Sequence, residues 1–387
     1  MLDVPVQRRR AFVPVAVLAV GTFAVGTDAF VVAGFLPQLA ASLEVSETAA
    51  GQSVTAFAVA YAMLSPILAT VTARLSRRAL LVGALLVLAL ANLGSALAPT
   101  FAVLLVTRVL AAAGAAAFTP NAGAVAAALS RPEVRGRALA TVIGGLTVAT
   151  AAGVPLGGLA GQVLGWRAAL GLVAGACAAV AVAVFAILPA LPGQPPVPLR
   201  ERLSVLRRPA VPAVLALTVL GMAATYTVYA YSAPAMRAVG VESTASMLFL
   251  YGVGAIFGNM AAGYTIDRWG ASRVLMGGYV VMAASLAGLG WLAGGQDVPV
   301  ALVGLLAVGW GAGTWCQTPP QQHRLIGVAP QEASLVVSLN ASAIYVGIGA
   351  GTLIGGLTLA QGVAVTYAAG AVLAVLALLL IVATRRI

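Results

Sequence analysis

Long apolar segments recur along the whole 387-residue chain and constrain what it can fold into. Each segment is long enough to cross roughly 30 Å of hydrocarbon as an α-helix. In lipid a backbone must satisfy its own hydrogen bonds, so only α-helices and closed β-barrels can span the membrane. A barrel sequence shows short alternating strands, and this sequence has none. We therefore predict an all-α membrane protein.

The composition supports this class and argues against a nucleic-acid partner. The chain is 61% hydrophobic and 8% charged, whereas soluble proteins carry about 25% charged residues. Its net charge of +11 comes entirely from arginine. These arginines lie in short clusters between apolar segments instead of along one solvated face, which favours a role in membrane topology.

Charge clusters and Pro/Gly-rich breaks divide the chain into twelve predicted transmembrane helices. The predicted spans are 11–36, 49–71, 79–98, 101–128, 138–163, 168–190, 211–235, 244–265, 274–294, 299–321, 334–360 and 364–383. The longest break is Pro-rich at its start and separates six spans from six. We predict an N-terminal six-helix bundle (1–190), a cytoplasmic linker (191–210) and a C-terminal six-helix bundle (211–387).

The distribution of arginine predicts the orientation of the chain. Eighteen of the 21 basic residues fall on one side of the predicted topology. They are Arg8, Arg9, Arg10, Arg74, Arg77, Arg78, Arg131, Arg135, Arg137, Arg200, Arg202, Arg207, Arg208, Arg268, Arg273, Arg324, Arg385 and Arg386. Because arginine is retained on the cytoplasmic side, we expect both termini in the cytoplasm.

The two halves share sequence features at nearly constant offset. The segment 152–159, AGVPLGGL, is echoed by 350–357, AGTLIGGL, and Thr119-Pro120 is echoed by Thr318-Pro319. Two parallel six-helix repeats are typical of the major facilitator superfamily.

Four further motifs resemble that family. Residues 263–273 fit its loop signature G-x-x-x-D-R-x-G-x-x-R, and 108–114 fit its R-x-x-x-x-x-G signature. Residues 153–158 resemble the span-five Gly/Pro motif of its drug/proton antiporters. The stretch 26–37, GTDAFVVAGFLP, is similar to the first span of the twelve-helix branch that includes chloramphenicol-resistance and arabinose-efflux permeases. In the first-half loop, Ala73 replaces the signature acid.

Asp28 and Arg108 are the charged residues that we place well inside predicted spans. Each lies about eight residues, or roughly 12 Å, from the outer end of its helix. The resemblance implies that spans one and four both line a central cavity, where the two side chains can meet. A structural ion pair is one interpretation. The other is a proton-coupled switch, because ionisable groups in hydrocarbon are costly and usually functional.

Two other regions are predicted to serve conformational change. The span-five motif is predicted to be an interface hinge, formed by Gly153, Pro155, Gly157 and Gly158. Close helix approach at glycine and bending at proline suit that role. The loop after span eight is a predicted cytoplasmic latch, formed by Asp267, Arg268, Gly270 and Arg273.

Aromatic and amide side chains inside the spans are candidate substrate contacts. Those on cavity-lining spans, as the resemblance implies, are Tyr226, Tyr229, Trp310, Trp315 and Gln317, and others are Asn121, Asn340 and Tyr345. A mostly apolar wall with few polar groups suits an amphipathic, drug-like molecule. Packing within the protein is the alternative for each of them.

These features predict a secondary active transporter in the bacterial cytoplasmic membrane that exports a small compound in exchange for protons. Proton-coupled nutrient uptake on the same fold is the alternative. A polytopic membrane enzyme is disfavoured because the sequence has no nucleophile motif and no metal cluster around its single histidine. We expect no cofactor and no metal, with the proton gradient as driving force. The expected partners of the monomer are a small-molecule substrate, protons and the lipid bilayer, with no nucleic acid.

Overall fold

The computed structural model describes residues 4–131, 134–193, 195, 198–241, 243–293, 295 and 298–384. Within these ranges it contains 12 helices long and apolar enough to cross a membrane. Spans one to twelve are Val13–Gly34, Glu47–Val71, Arg77–Ala96, Phe101–Leu129, Arg137–Val163, Trp166–Ile187, Ala210–Tyr229, Thr244–Trp269, Ala271–Leu292, Val300–Val328, Leu335–Leu359 and Val363–Ala383. The predicted all-α class and the twelve spans are confirmed. Arg385 and Arg386, counted for orientation, lie outside the described residues.

Two spans, seven and ten, end six and seven residues from their predicted positions. Span seven stops at Tyr229, and a separate short helix follows at Ser232–Ala238, because Pro234 is tolerated only near a helix start. Span ten continues past residue 321 to Val328 but breaks at Cys316 and Gln317. Its second segment starts with consecutive prolines, which need no backbone donor in the first turn.

The described residues between the two sets of six spans include one helical stretch. An α-helix at Leu199–Ser204 continues as a 3-10 turn at Val205–Arg207. The sequence predicts an amphipathic surface helix over 199–208, and the observed stretch lies inside that range.

Hydroxyl side chains start several spans by accepting a hydrogen bond from the first helical turn. Ser46 accepts from the amide of Ala49 at 3.1 Å, and Ser76 accepts from Ala79 at 3.3 Å. Thr100 accepts from Val103 at 3.4 Å. These caps fix where spans two, three and four begin.

Spans one and five depart from α-helical geometry where they meet. Span one tightens into a 3-10 turn at Val31–Gly34. Span five contains a π-helical turn at Ala149–Gly153 and resumes as an α-helix at Val154–Val163. The irregular segments pack on each other with backbone contact, because a Cβ on Gly158 would lie 3.2 Å from the Cα of Gly34.

The two halves of the bundle contact each other at one end, which we call the distal face; the opposite end, where span one begins and span twelve ends, is the terminal face. At the distal face Arg237 and Glu47 form an ion pair of 3.0 Å across the halves. Deeper in the same seam, Gln52 donates to the Tyr231 hydroxyl at 3.5 Å. Beyond the seam, towards the terminal face, Met63 of span two is exposed.

Candidate functional site

Asp28 and Arg108 form a fully buried ion pair between spans one and four. Nη1 of Arg108 lies 2.5 Å from Oδ1 of Asp28, and both side chains have 0% exposure. Nη2 of Arg108 also donates to the backbone carbonyl of Asp28 at 3.0 Å. Oδ2 of Asp28 has no hydrogen-bond partner among the described residues. One carboxylate oxygen is therefore held by Arg108, while the other has no partner among the described residues.

Aromatic rings connect this ion pair to the other half of the protein. The guanidinium carbon of Arg108 lies 4.7 Å from the ring centroid of Phe57 in span two, a cation–π distance. Phe57 contacts Tyr345 of span eleven with ring centroids 6.1 Å apart. Tyr345 stacks on Tyr61 of span two at 3.7 Å. Tyr345 therefore packs against two rings of the opposite half, three contacts away from Asp28.

A second group of rings, which we call the aromatic cluster, begins at Phe30. Its six members are Phe30, Tyr226, Tyr229, Tyr251, Trp310 and Trp315, and Phe30 is the one from the N-terminal half. Phe30 lies 5.8 Å from Tyr226 and 6.4 Å from Trp315. Because Phe30 follows Asp28 by two residues, the same stretch of span one carries the acid and the contact with the C-terminal half.

The aromatic cluster contains polar atoms that its own packing does not satisfy. The Tyr229 hydroxyl and the Trp310 indole N–H are buried without a hydrogen-bond partner among the described residues. Buried donors normally have partners, and an exception calls for an explanation. Of the predicted substrate contacts, the structure brings together Tyr226, Tyr229, Trp310 and Trp315.

The three predicted amide contacts bond within their own halves. Gln317 accepts from the Tyr279 hydroxyl at 3.1 Å. Asn340 accepts from Thr218 at 2.8 Å. Asn121 accepts from Arg77 at 2.9 Å. In this conformation the oxygens of these amides are thus engaged by neighbouring protein groups, and their part in substrate binding stays a prediction.

The Gly/Pro segment of span five contacts both halves around the acid. A Cβ on Gly153 would collide with Oγ1 of Thr27, the neighbour of Asp28. On the other side of the π-helical turn, the backbone of Ala151 leaves no room for a Cβ on Gly252 of span eight. The predicted hinge segment therefore touches the span that carries Asp28 and a span of the opposite half.

Comparison with known proteins identifies the family. The sequence profile of the Major Facilitator Superfamily matches residues 18–333, most of the chain. The chain belongs to this family. It is a membrane transporter and not an enzyme.

Curated members of the superfamily are similar to this transporter over nearly its whole length. The inner membrane transport protein YdhP of Escherichia coli (strain K12) is 31% identical over 378 residues, covering 96% of each chain. The chloramphenicol resistance protein of Streptomyces lividans is 34% identical over 357 residues, covering 89% of each. These relatives support a multi-pass protein of the bacterial cell membrane.

Solved structures of distant members share the fold of this transporter. A bacterial homologue of the human lysosomal transporter Spinster has a TM-score of 0.78 at 18% identity, over 97% of each chain. A D-xylose–proton symporter has a TM-score of 0.75 at 16% identity, over 96% of this chain and 97% of the other.

The predicted latch loop of this superfamily member is exposed in the observed conformation. Asp267 forms no ion pair within the described ranges, and Arg268 donates to the hydroxyl of Tyr264 in the same helix at 3.1 Å. Gly270 ends the helix with a φ of 78°, a conformation that glycine adopts without strain. Arg273 is exposed in the next span. A latch contact would belong to another conformation of the transporter, so this role stays a prediction.

Several residues of the site were not predicted from the sequence. Phe57 and Tyr61, which flank Arg108 and Tyr345, lie four residues apart and therefore on one face of span two. Their helical spacing was an available signal. Tyr251 gave no such signal, because nothing in a mostly apolar span indicates which face meets the other half.

Proposed function

We propose that this transporter exports a small, amphipathic, drug-like compound in exchange for protons by alternating access. The observation that carries the proposal is the buried Asp28–Arg108 pair, whose carboxylate has one held oxygen and one without a partner among the described residues. A buried ion pair contributes little net stability compared with apolar packing. A role in the transport cycle accounts better for its presence inside the membrane.

In this proposal Asp28 takes up the transported proton at Oδ2. Protonation removes the negative charge and leaves Arg108 as an uncompensated cation in an apolar site. That change weakens the hold of Arg108 on Asp28 and alters its contact with Phe57. Because Phe57 contacts Tyr345 of the other half, the effect of the proton reaches the seam between the halves through Arg108 and Phe57.

The proposed cycle uses the distal seam as one of two gates. On the predicted orientation the distal face is the outer one, so the present arrangement is closed to the outside. Opening requires separation of the Glu47–Arg237 pair and of the Tyr61–Tyr345 stack. Both are contacts between halves, and the π-helical turn of span five provides a bendable support beside Asp28.

The aromatic cluster is the proposed substrate site. Its rings supply large apolar contact area, while the Tyr229 hydroxyl and the Trp310 N–H, which have no partner in the described part of the chain, can donate to polar groups of a bound compound. This combination favours amphipathic molecules with hydrogen-bond acceptors. Chloramphenicol is a reasonable first probe, because one relative is named for resistance to it.

Proton-coupled uptake of a nutrient is the second candidate. Its support is the fold shared with a D-xylose–proton symporter, which is a likeness of architecture at 16% identity. The aromatic cluster is poor in amide and carboxylate groups, and a sugar site needs many such partners. We therefore prefer export.

A transport assay separates the two candidates. Cells lacking their own efflux pumps are loaded with a panel of compounds that includes chloramphenicol, and efflux is followed with and without an uncoupler. Export that stops when the uncoupler is added supports the proposal. Export that is insensitive to the uncoupler overturns the proposal, and so does uncoupler-sensitive accumulation of D-xylose or another nutrient.

A further inference from the structure

An apolar groove lies on the side of the N-terminal half, away from the seam between the halves. Its volume is about 260 Å³, and spans two, three and four line it. Representative lining residues are Leu68, Leu75, Gly83, Val87, Gly114 and Ala117. The groove takes no part in the transport cycle proposed above.

Small residues on span four create this groove. Spans two and three both pack on span four and little on each other. Gly114 lets span three approach, since a Cβ there would lie 2.7 Å from the carbonyl oxygen of Ala84. Along the open side, a Cβ on Gly83 would meet no atom within 4 Å. Val87 is 42% exposed, so the groove opens sideways, where lipid surrounds a membrane protein.

Arginine lies at the terminal end of the groove. Nη1 of Arg77 donates to Oδ1 of Asn121 at 2.9 Å, and Asn121 is one helical turn beyond the lining residue Ala117. Arg74 is next to the lining residue Leu75. In the part of the chain that the structure describes, no carboxylate pairs with either arginine. Arg77 is also in the first turn of span three, where the helix dipole disfavours a cation and favours an anion.

We propose that the groove binds one acyl chain of an anionic phospholipid whose phosphate contacts Arg77. The apolar part extends from Ala79 to Val87 along span three, which is about 12 Å of helix. It therefore takes a substantial part of one acyl chain. Topology signals explain why arginines occur in this loop. They do not explain a groove of acyl-chain size that ends at an arginine with no carboxylate partner among the described residues.

Lipid retention by the full-length transporter tests this proposal. The protein is purified, exposed to equal amounts of phosphatidylglycerol and phosphatidylcholine, and analysed by native mass spectrometry. We expect one retained phospholipid with about a fivefold preference for phosphatidylglycerol, the selectivity of one arginine contact. Gly83→Leu fills the groove and abolishes retention of both lipids. Arg77→Gln retains lipid but loses the preference.

Two matched variants control for general effects. Gly175→Leu places the same side chain on the exposed face of span six, where a Cβ meets nothing within 4 Å. Arg78→Gln removes the same charge from the neighbouring position, whose guanidinium stacks on Phe185 of span six at 5.3 Å. We expect both variants to retain phospholipid as the wild type does, with the same preference for phosphatidylglycerol.

Three results would overturn the proposal. The first is equal retention of the two lipids by the wild type. The second is wild-type retention by Gly83→Leu. The third is displacement of the lipid by a compound that the transporter exports, which would make the groove a substrate entry path. Failure of the export proposal would leave the lipid measurement unaffected, because lipid retention requires no transport.

Discussion

Arg108 holds Asp28 at two points, through the carboxylate Oδ1 at 2.5 Å and through the backbone carbonyl at 3.0 Å. The second bond fixes the arginine on span one even when the charge of the carboxylate changes. Protonation of Asp28 can therefore alter the electrostatics of the site while the two spans stay together.

Neutralising the acid should uncouple transport from protons. Asp28→Asn keeps the size of the side chain and can still accept a hydrogen bond from Arg108, so we expect the variant to fold. In proteoliposomes it should lose accumulation driven by a pH gradient and keep energy-independent exchange of substrate. Glu44→Gln, at an exposed loop position, is the matched control. Gradient-driven transport by Asp28→Asn would show that another group carries the proton.

Removing the cation alone should destabilise the protein more than removing both charges. Arg108→Leu leaves Asp28 buried without its partner, at a cost of about 3–5 kcal/mol. The double variant Arg108→Leu with Asp28→Leu should recover most of that loss, because no uncompensated charge remains. Thermal unfolding in detergent measures the stability of the single and the double variant. An equal loss of stability in the two would contradict a strongly coupled pair.

Widening the backbone contact between spans one and five should impair transport. A Cβ at residue 158 lies 3.2 Å from the Cα of Gly34, so Gly158→Val overpacks the contact, at about 1–3 kcal/mol. Gly144→Val in the same span is the control, since a Cβ there meets nothing within 4 Å. Exchange assays on the two variants at equal expression make the comparison. Equal exchange activity of the two variants would show that transport does not require the close approach of spans one and five.

Reversing one charge at the distal face should favour opening on that side. The Glu47–Arg237 pair is partly exposed and stabilises the closed seam by about 1 kcal/mol or less. Glu47→Arg should therefore increase thiol labelling of Gln52→Cys behind it by up to about fivefold. The swap of Glu47→Arg with Arg237→Glu should restore the original rate. A swap that labels like the single variant would exclude the ion pair as the cause.

The parts of this structure that follow from hydropathy and charge could be predicted from the sequence. Twelve spans emerged from apolar length, and Asp28 and Arg108 were placed at the same depth from their distances to the span ends. The family resemblance, which implies that spans one and four line one cavity, indicated that the two side chains could meet, and the direct ion pair is a finding of the structure. Caps such as Ser46 and Ser76 also mark helix starts in the sequence.

What could not be predicted depends on the rotation of each helix about its axis. A span that is apolar on every side gives no sign of which face meets a neighbour. Tyr251 was therefore missed, and the engagement of Gln317 by Tyr279 was not anticipated. The break after Tyr229 was missed because the apolar composition continues beyond it, although Pro234, which is tolerated only near a helix start, was an available signal.

The π-helical turn at Ala149–Gly153 also affects how the length of this transporter can vary. Elsewhere in a regular span, losing one residue rotates everything beyond it by about 100° and breaks the packing of one side. A π turn already holds one residue more than an α-helical turn needs. Deleting one residue there therefore keeps Gly145, before the turn, and Gly158, after it, on the helix faces that they occupy now. Within span five, single-residue deletions are therefore tolerated best at this turn, next to Asp28.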